Sequence, residues 1–177
     1  MERIELAKEI FKTAHLTGTF KLRSGKESDH YFDKYLFESN PRLLAAIADH
    51  LIPHIPQNTE ILAGLEMGGI PVATALSLRT GLPVVFVRKK AKAYGTCKLA
   101  EGAAIGGKNV TIIEDVVTTG GQILLSAADL KTYSANVNDV IAVIEREQAG
   151  RTNLEDAGLS FHSLFKMEEL LLASQTN

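Results

Sequence analysis

Apolar residues recur every three to four positions at the start of the chain. Ile4, Ala7, Ile10 and Phe11 form the stripe of an amphipathic helix within Met1 to Phe11. The pattern then changes period. Thr19-Phe20-Lys21-Leu22-Arg23 alternates polar and apolar, Ser24-Gly25-Lys26 has turn composition, and His30-Tyr31-Phe32-Asp33 follows, which together predict a two-stranded excursion. Pro41 opens a helix over Arg42 to Ile52, with Leu43, Ile47 and Leu51 on one face.

From Glu60 onward strands and helices alternate. Glu60 to Gly64 reads as a strand, Ile70 to Leu78 as a helix after Gly68-Gly69, and Pro83 to Arg88 as a strand. Residues 89 to 107 show no apolar periodicity and predict a long loop containing a hairpin; loops of that length in compact domains are usually functional. Val110 to Glu114 is the next strand, Gly120 to Thr132 its helix, and Val140 to Ile144 a further strand of almost continuous apolar character. Leu154 to Ala157 and Met167 to Leu172 read as short helices around a last strand, Ser160 to Leu164. This is βαβ grammar, and it predicts an α/β fold with a mostly parallel central sheet covered by helices on both faces.

Composition adds bounds. At 177 residues the chain can bury a core without a staple, and it is expected to form one domain with a small appendage. Nineteen basic and twenty-one acidic side chains leave a net charge of −2, so no general attraction to nucleic acid or an anionic membrane is expected and any anion site must be local. Cys97 is the single cysteine and excludes an intrachain disulfide. Neither a secretory signal nor a membrane span is apparent, which leads to the expectation of a soluble cytoplasmic protein.

The chemistry concentrates in Val110-Thr111-Ile112-Ile113-Glu114-Asp115-Val116-Val117-Thr118-Thr119-Gly120-Gly121. A strand runs into two carboxylates, then two hydroxyls and two glycines at a helix start. Ligands of open parallel sheets bind at the carboxyl ends of strands. Backbone N–H groups at Gly120 and Gly121, the threonine hydroxyls and the helix dipole suit a phosphate monoester, whereas ionised Glu114 and Asp115 suit neutral hydroxyls. A sugar phosphate satisfies both sets. Acids that merely cap a turn are the bland alternative. The Gly-Lys-Ser/Thr loop of nucleotide triphosphatases is absent, and no Gly-x-Gly-x-x-Gly follows the first βα strand.

The stretch Ile112 to Gly121 resembles the phosphoribosyl diphosphate (PRPP) motif of type I phosphoribosyltransferases. The resemblance implies that family's fold, a central mostly parallel sheet flanked by helices with a small N-terminal hood. It places the hood at about 1–40 plus a C-terminal part and the core at about 41–150, and puts Glu114, Asp115, Val117, Thr118, Thr119, Gly120 and Gly121 on the donor.

Other segments resemble orotate phosphoribosyltransferases in order and spacing. Phe20 to Asp33 is similar to that family's hood, which implies Arg23 near the orotate or diphosphate and Tyr31 and Phe32 as walls of the base site, with Thr118 beside the base. Glu66-Met67-Gly68 resembles the diphosphate-binding loop; some relatives carry lysine where Gly68 stands. Arg88-Lys89-Lys90-Ala91-Lys92-Ala93-Tyr94-Gly95 is similar to the start of the mobile catalytic loop, although four cations in five positions also describe a solvated surface. The match implies Arg88, Lys89 and Lys92 on the diphosphate, with Lys92 catalytic beside Asp115 and supplied by a partner subunit of a homodimer. Many relatives have histidine where Tyr94 stands, and no general-acid duty is assigned to it.

Glu145-Arg146-Glu147-Gln148-Ala149-Gly150-Arg151 is similar to the segment in which an arginine binds the orotate carboxylate; Arg146 occupies that position, with Glu145 as its support. A guanidinium forks onto a carboxylate, which suits selection of an acidic pyrimidine. The expected activity is transfer of phosphoribosyl to orotate in pyrimidine biosynthesis, with Mg2+ held mainly through PRPP and water and no protein ligand assigned. Two alternatives stay open: purine-base salvage on the same donor site, and a non-catalytic nucleotide sensor.

Overall fold

A computed structural model describes residues 1–21, 25, 27–90 and 99–175. The chain opens with α1 (Arg3–Ala14), a hairpin of β1 (His15–Lys21) and β2 (Glu27–Phe32), the short helix α2 (Lys34–Glu38) and α3 (Pro41–Leu51). It continues through β3 (Ile61–Leu65), α4 (Gly69–Thr80), β4 (Val84–Val87), β5 (Ala100–Gly102), β6 (Asn109–Val117) and α5 (Gly121–Thr132). β7 (Asn136–Glu145), α6 (Gln148–Asp156), β8 (Ser160–Lys166) and α7 (Met167–Gln175) complete it. Six strands form one sheet in the order β5-β4-β3-β6-β7-β8, all parallel except β5, which turns back antiparallel along β4.

The two-residue period of the strands sorts the core onto two faces. Leu62, Ile113, Ile141 and Val143 pack against α1, α3, α4 and α7. Their neighbours Ile61, Ala63, Ile112, Val140 and Ala142 pack on the other face beneath α5 and α6. Each fully buried Leu or Ile contributes roughly 1.5–3 kcal/mol over its exposed form. Continuous apolar runs are therefore what a sheet covered on both sides requires, as the sequence pattern predicts.

Local chemistry sets the helix starts. Asn40 accepts from the backbone N–H groups of Arg42 and Leu43, and Pro41 occupies the first turn of α3. Asp33 accepts from Tyr35 N in the same way and starts α2, which has too few residues to show a helical period and was not expected. Several elements run past their expected ends. β6 extends to Val117 because Glu114 and Val116 stay in register with Ala142 and Ile144 of β7. β7 likewise begins at Asn136, paired with Asn109, despite the polar start. α6 begins at Gln148. No hairpin lies wholly within the described part of 89–107; that segment supplies one strand, β5, which pairs antiparallel with the preceding β4.

The C-terminal ends of the parallel strands converge at one edge. There the β1–β2 hairpin and α7 lean over the sheet, fastened by Asp33 N donating to Ala14 O and by Arg3 donating to Leu164 O and Glu169 Oε1, each at 2.7 Å. Among the described residues no helix is long and apolar enough to cross a membrane.

Candidate active site

Two adjoining cavities open at that edge, beside a third, of about 180 Å³, at the ends of β7 and β8. One, of about 300 Å³, lies under the loop that follows β6 and includes Glu66, Met67, Lys89, Glu114, Asp115 and the run Val116 to Ile123 in its lining. The other, of about 710 Å³, lies between the hairpin, α7 and the end of β7, and has Tyr31, Phe32, Thr118 and Arg146 in its walls. Lys34, Tyr35, Val116 and Thr118 line both, so the cavities meet along α2 and the end of β6.

The smaller of the adjoining pair ends on the N-terminus of α5. Gly120 has φ 74°, a left-handed conformation open mainly to glycine, and a Cβ there would press on Leu154 at 3.1 Å. Gly121 then starts a helix of 12 residues whose first N–H groups face the cavity, an arrangement suited to a phosphate.

The floor is a cluster of charges. Asp115 is fully buried, and its Oδ2 meets Lys34 Nζ at 2.5 Å. Glu38, also on α2, brings its buried carboxyl to the same aspartate. Burial would raise the Asp115 pKa, but hydrogen bonds from the Glu38 and Glu114 carboxyls and the Lys34 ammonium outweigh it and keep this group ionised. Burial, reinforced by contact with Asp115, pushes Glu38 up to about 9 and Glu114 well above the usual carboxylate range. Burial alone would lower Lys34; the charge and hydrogen bond of Asp115 hold it above its ordinary value instead. The surroundings thus favour the charged form of Asp115 and Lys34 and the neutral form of Glu38 and Glu114, whereas the motif suggested two ionised acids. Like charges this close in a dry site favour proton uptake by the weaker acid.

Gly68 does not line either cavity. It lies behind Asp115, where a Cβ would fall 1.5 Å from Oδ2, and so makes room for the carboxylate. Glu66 Oε1 accepts from Lys89 N at 2.5 Å and ties the loop after β3 to the end of β4. Arg88 points along β5, with Nε 4.0 Å from Glu101, and is absent from the cavity lining.

In the larger cavity, Arg146 stands with its guanidinium 5.9 Å from the Phe32 ring centre. Its backbone N–H donates to Val117 O at 2.8 Å. Glu145 does not support it. Successive strand residues point to opposite faces, and Glu145 is held by Arg151 (Nη2 to Oε2 2.7 Å) and Ser163. Tyr31 stacks on Phe20 at 5.4 Å. Arg23, Lys92, Tyr94 and Cys97 lie outside the described residues.

Residues unanticipated from the motifs also shape the cavities: Lys34 and Tyr35 from α2, with Glu38 behind Asp115, and the stacked rings of Phe11, His15 and His30, with centroids 4.7 and 5.0 Å apart. The one available signal was Asp33, a helix-capping residue followed by Lys34 and Glu38 at a spacing of four.

Residues 36–158 match the phosphoribosyl transferase domain model. The chain is 47% identical over 165 residues to an orotate phosphoribosyltransferase of Nocardioides sp., covering 93% of this chain and 92% of the relative. It is 44% identical to that of Methanocella arvoryzae, over 87% and 88% of the two chains. Crystal structures of the Mycobacterium tuberculosis orotate phosphoribosyltransferase superpose with a TM-score of 0.85 in complex with inorganic phosphate, at 27% identity over 95% and 97% of the chains. The same protein in complex with PRPP gives 0.81, at 26% identity over 95% and 98%.

Proposed function

Because this chain belongs to the orotate phosphoribosyltransferase family, we propose that the smaller of its two adjoining cavities takes PRPP and the larger orotate, with the new bond formed where they meet. The observation that carries this reading is the sharing of Lys34, Tyr35, Val116 and Thr118 by both cavities. Near-attack geometry requires reacting atoms about 3–3.5 Å apart, and only contiguous sites permit that.

In this scheme N1 of orotate gives up its proton to water or a diphosphate oxygen and bonds to C1 of the ribose with inversion, as the bond from C1 to the diphosphate oxygen breaks. The products are orotidine 5′-monophosphate and diphosphate. Thr118, Thr119, Gly120 and Gly121, with the α5 N-terminus, hold the 5′-phosphate. Asp115 and Glu114 accept from the ribose hydroxyls, and Asp115 supplies negative charge near a ribose that becomes cationic. Lys89 and the loop residues Glu66 and Met67 face the departing diphosphate, while Gly68 backs Asp115 and Arg88 stays beside Glu101, and Lys92 reaches the diphosphate from the partner of a homodimer. Arg146 forks onto the orotate carboxylate while Tyr31 and Phe32 wall the ring, with Arg23 completing the hood side.

The cavity rim is built of hard oxygen donors, carboxylates and hydroxyls, which is compatible with a hydrated Mg2+ carried in on the donor. Bound there, Mg2+ would neutralise charge on the diphosphate; no side chain of this chain is assigned to it. Hood and core act as one unit in a cytoplasmic enzyme. Orotate consumption should require both PRPP and Mg2+. Turnover of a purine base without turnover of orotate would overturn the assignment, as would no turnover of any base.

A further inference from the structure

Glu38 has no part in the motifs of this family, yet its carboxyl is driven into the donor site from below. Glu38 is 6% exposed, and among the described residues its Oε1 finds no N–H or hydroxyl donor. Asp115 Oδ2 and Glu38 Oε1 lie 1.5 and 2.9 Å from the position a Cβ of Gly68 would take, so two buried carboxyl oxygens converge on one bare Cα. Two ionised groups there would repel in a low-dielectric setting, whereas one proton between them satisfies both oxygens. Lys34 and Glu38 are four residues apart on α2 and so share a helix face. One brings a cation to Asp115 and the other an acid.

We propose that Glu38 is a positioning residue for the phosphoribosyl donor, fixing the Asp115 carboxylate through a carboxylic acid to carboxylate hydrogen bond. This rests on the reading that Asp115 accepts from the ribose. Glu38 itself touches no substrate. It removes the freedom of Asp115 to rotate in its pocket, so the remaining oxygen lone pairs already face the donor when it arrives. The charged and titratable groups facing Glu38 are Lys34 on its own helix and Asp115 and Glu114 on β6; the loop entering α4 brings Gly68, which carries no titratable group. Burial and the neighbouring carboxylates raise Glu38 to about 9, which keeps the proton in place at neutral pH.

The test is PRPP affinity by calorimetry, with Mg2+ present, for the wild type, Glu38→Leu, Glu38→Gln and Asp115→Asn. Loss of a hydrogen bond to a charged group predicts about tenfold or more weaker donor binding in Glu38→Leu, with a smaller change in kcat. Glu38→Gln, whose amide donates in place of the acid, should restore most of that affinity. Wild-type affinity should also fall as pH rises through about 9, and this limb should be missing in Glu38→Gln.

Wild-type affinity in folded Glu38→Leu overturns the proposal. So does Glu38→Gln binding as weakly as Glu38→Leu, or retaining the alkaline limb. If Glu38→Leu does not fold, the pH comparison decides by itself. Unaltered donor affinity in Asp115→Asn refutes the ribose contact beneath the proposal. Weakened affinity there with none in Glu38→Leu refutes the Glu38 role alone.

Discussion

Gly68→Ala isolates the packing under the donor site. The backbone at Gly68 has φ −72° and ψ −27°, which any residue adopts, so the substitution acts only through the added methyl. That methyl would sit 1.5 Å from Asp115 Oδ2, 2.3 Å from its Cγ and 2.9 Å from Glu38 Oε1. Ordinary contact needs about 3.4 Å, so the carboxylate must retreat by about 2 Å, and it then loses Lys34 Nζ, now at 2.5 Å. Overpacking costs about 1–3 kcal/mol, and separating a buried ion pair costs up to about 3–5 kcal/mol; Lys34 keeps partial access to water, so about 3 kcal/mol in all is expected. For a chain of this size that lowers Tm by roughly 6–12 °C. Donor affinity should fall tenfold or more with it. Gly106→Ala is the control, because its Cβ would meet only Tyr133 O, at 3.7 Å. Scanning calorimetry and PRPP titration on both variants give the answer, and a Gly68→Ala protein with wild-type Tm and wild-type donor affinity would refute the close-packed cluster.

Three further substitutions probe separate parts of the site. Lys92→Ala should lower kcat by orders of magnitude with modest loss of PRPP affinity in steady-state and binding assays; an unchanged rate removes it from catalysis. Arg146→Ala should raise the KM for orotate by about 10- to 100-fold, the worth of a bidentate charge-assisted pair, while PRPP affinity stays within about threefold. Arg151→Ala leaves the buried Glu145, among the described residues, with the Ser163 hydrogen bond and the more distant charge of Lys166, and should cost about 2–3 kcal/mol in denaturant unfolding. Burial would raise Glu145, but Arg151 and Ser163 outweigh it and depress its pKa in the folded state. Its stabilisation is therefore full above the ordinary glutamate pKa and fades as pH falls through the depressed value. Arg151→Ala should flatten that acid limb, and equal acid sensitivity in both proteins would contradict the assignment.

The βαβ core was legible because it is written in local apolar runs: Val140 to Ile144 and Val110 to Ile113 could only be strands covered on both faces. The strand-to-helix junction after β6 was legible for a similar reason, since its acids, hydroxyls and glycines are contiguous and line one cavity. The floor of the site was not. Glu38 looks like any surface acid in a five-residue helix, and its burial depends on Gly68 and Asp115, distant in sequence and joined only when α4 crosses β6. The ionisation of Glu114 escaped notice for the same reason, being set by neighbours rather than by residue type. Glu145 and Arg146 were paired through the resemblance to the family's segment, but the strand pleat sends them to opposite sides, and Arg151 on α6 takes the carboxylate.

The pleat also bears on how one fold can set two substrates at bonding distance. Thr118 follows directly on β6, and Arg146 follows on β7. Their strands are locked at Val116 with Ile144 and Val117 with Glu145, and Arg146 N continues the ladder onto Val117 O at 2.8 Å. In the proposed scheme, the guanidinium assigned to the base and the loop assigned to the 5′-phosphate are thereby fixed to adjacent rungs of the buried centre of the sheet. Neither can shift along its strand without reversing which side chains face the core. The distance between the two seats is consequently a property of strand register, and α2, fastened to Asp115 by Lys34 and Glu38, closes the gap from the hood side. A register error between β6 and β7 should therefore abolish transfer even where each substrate still binds alone.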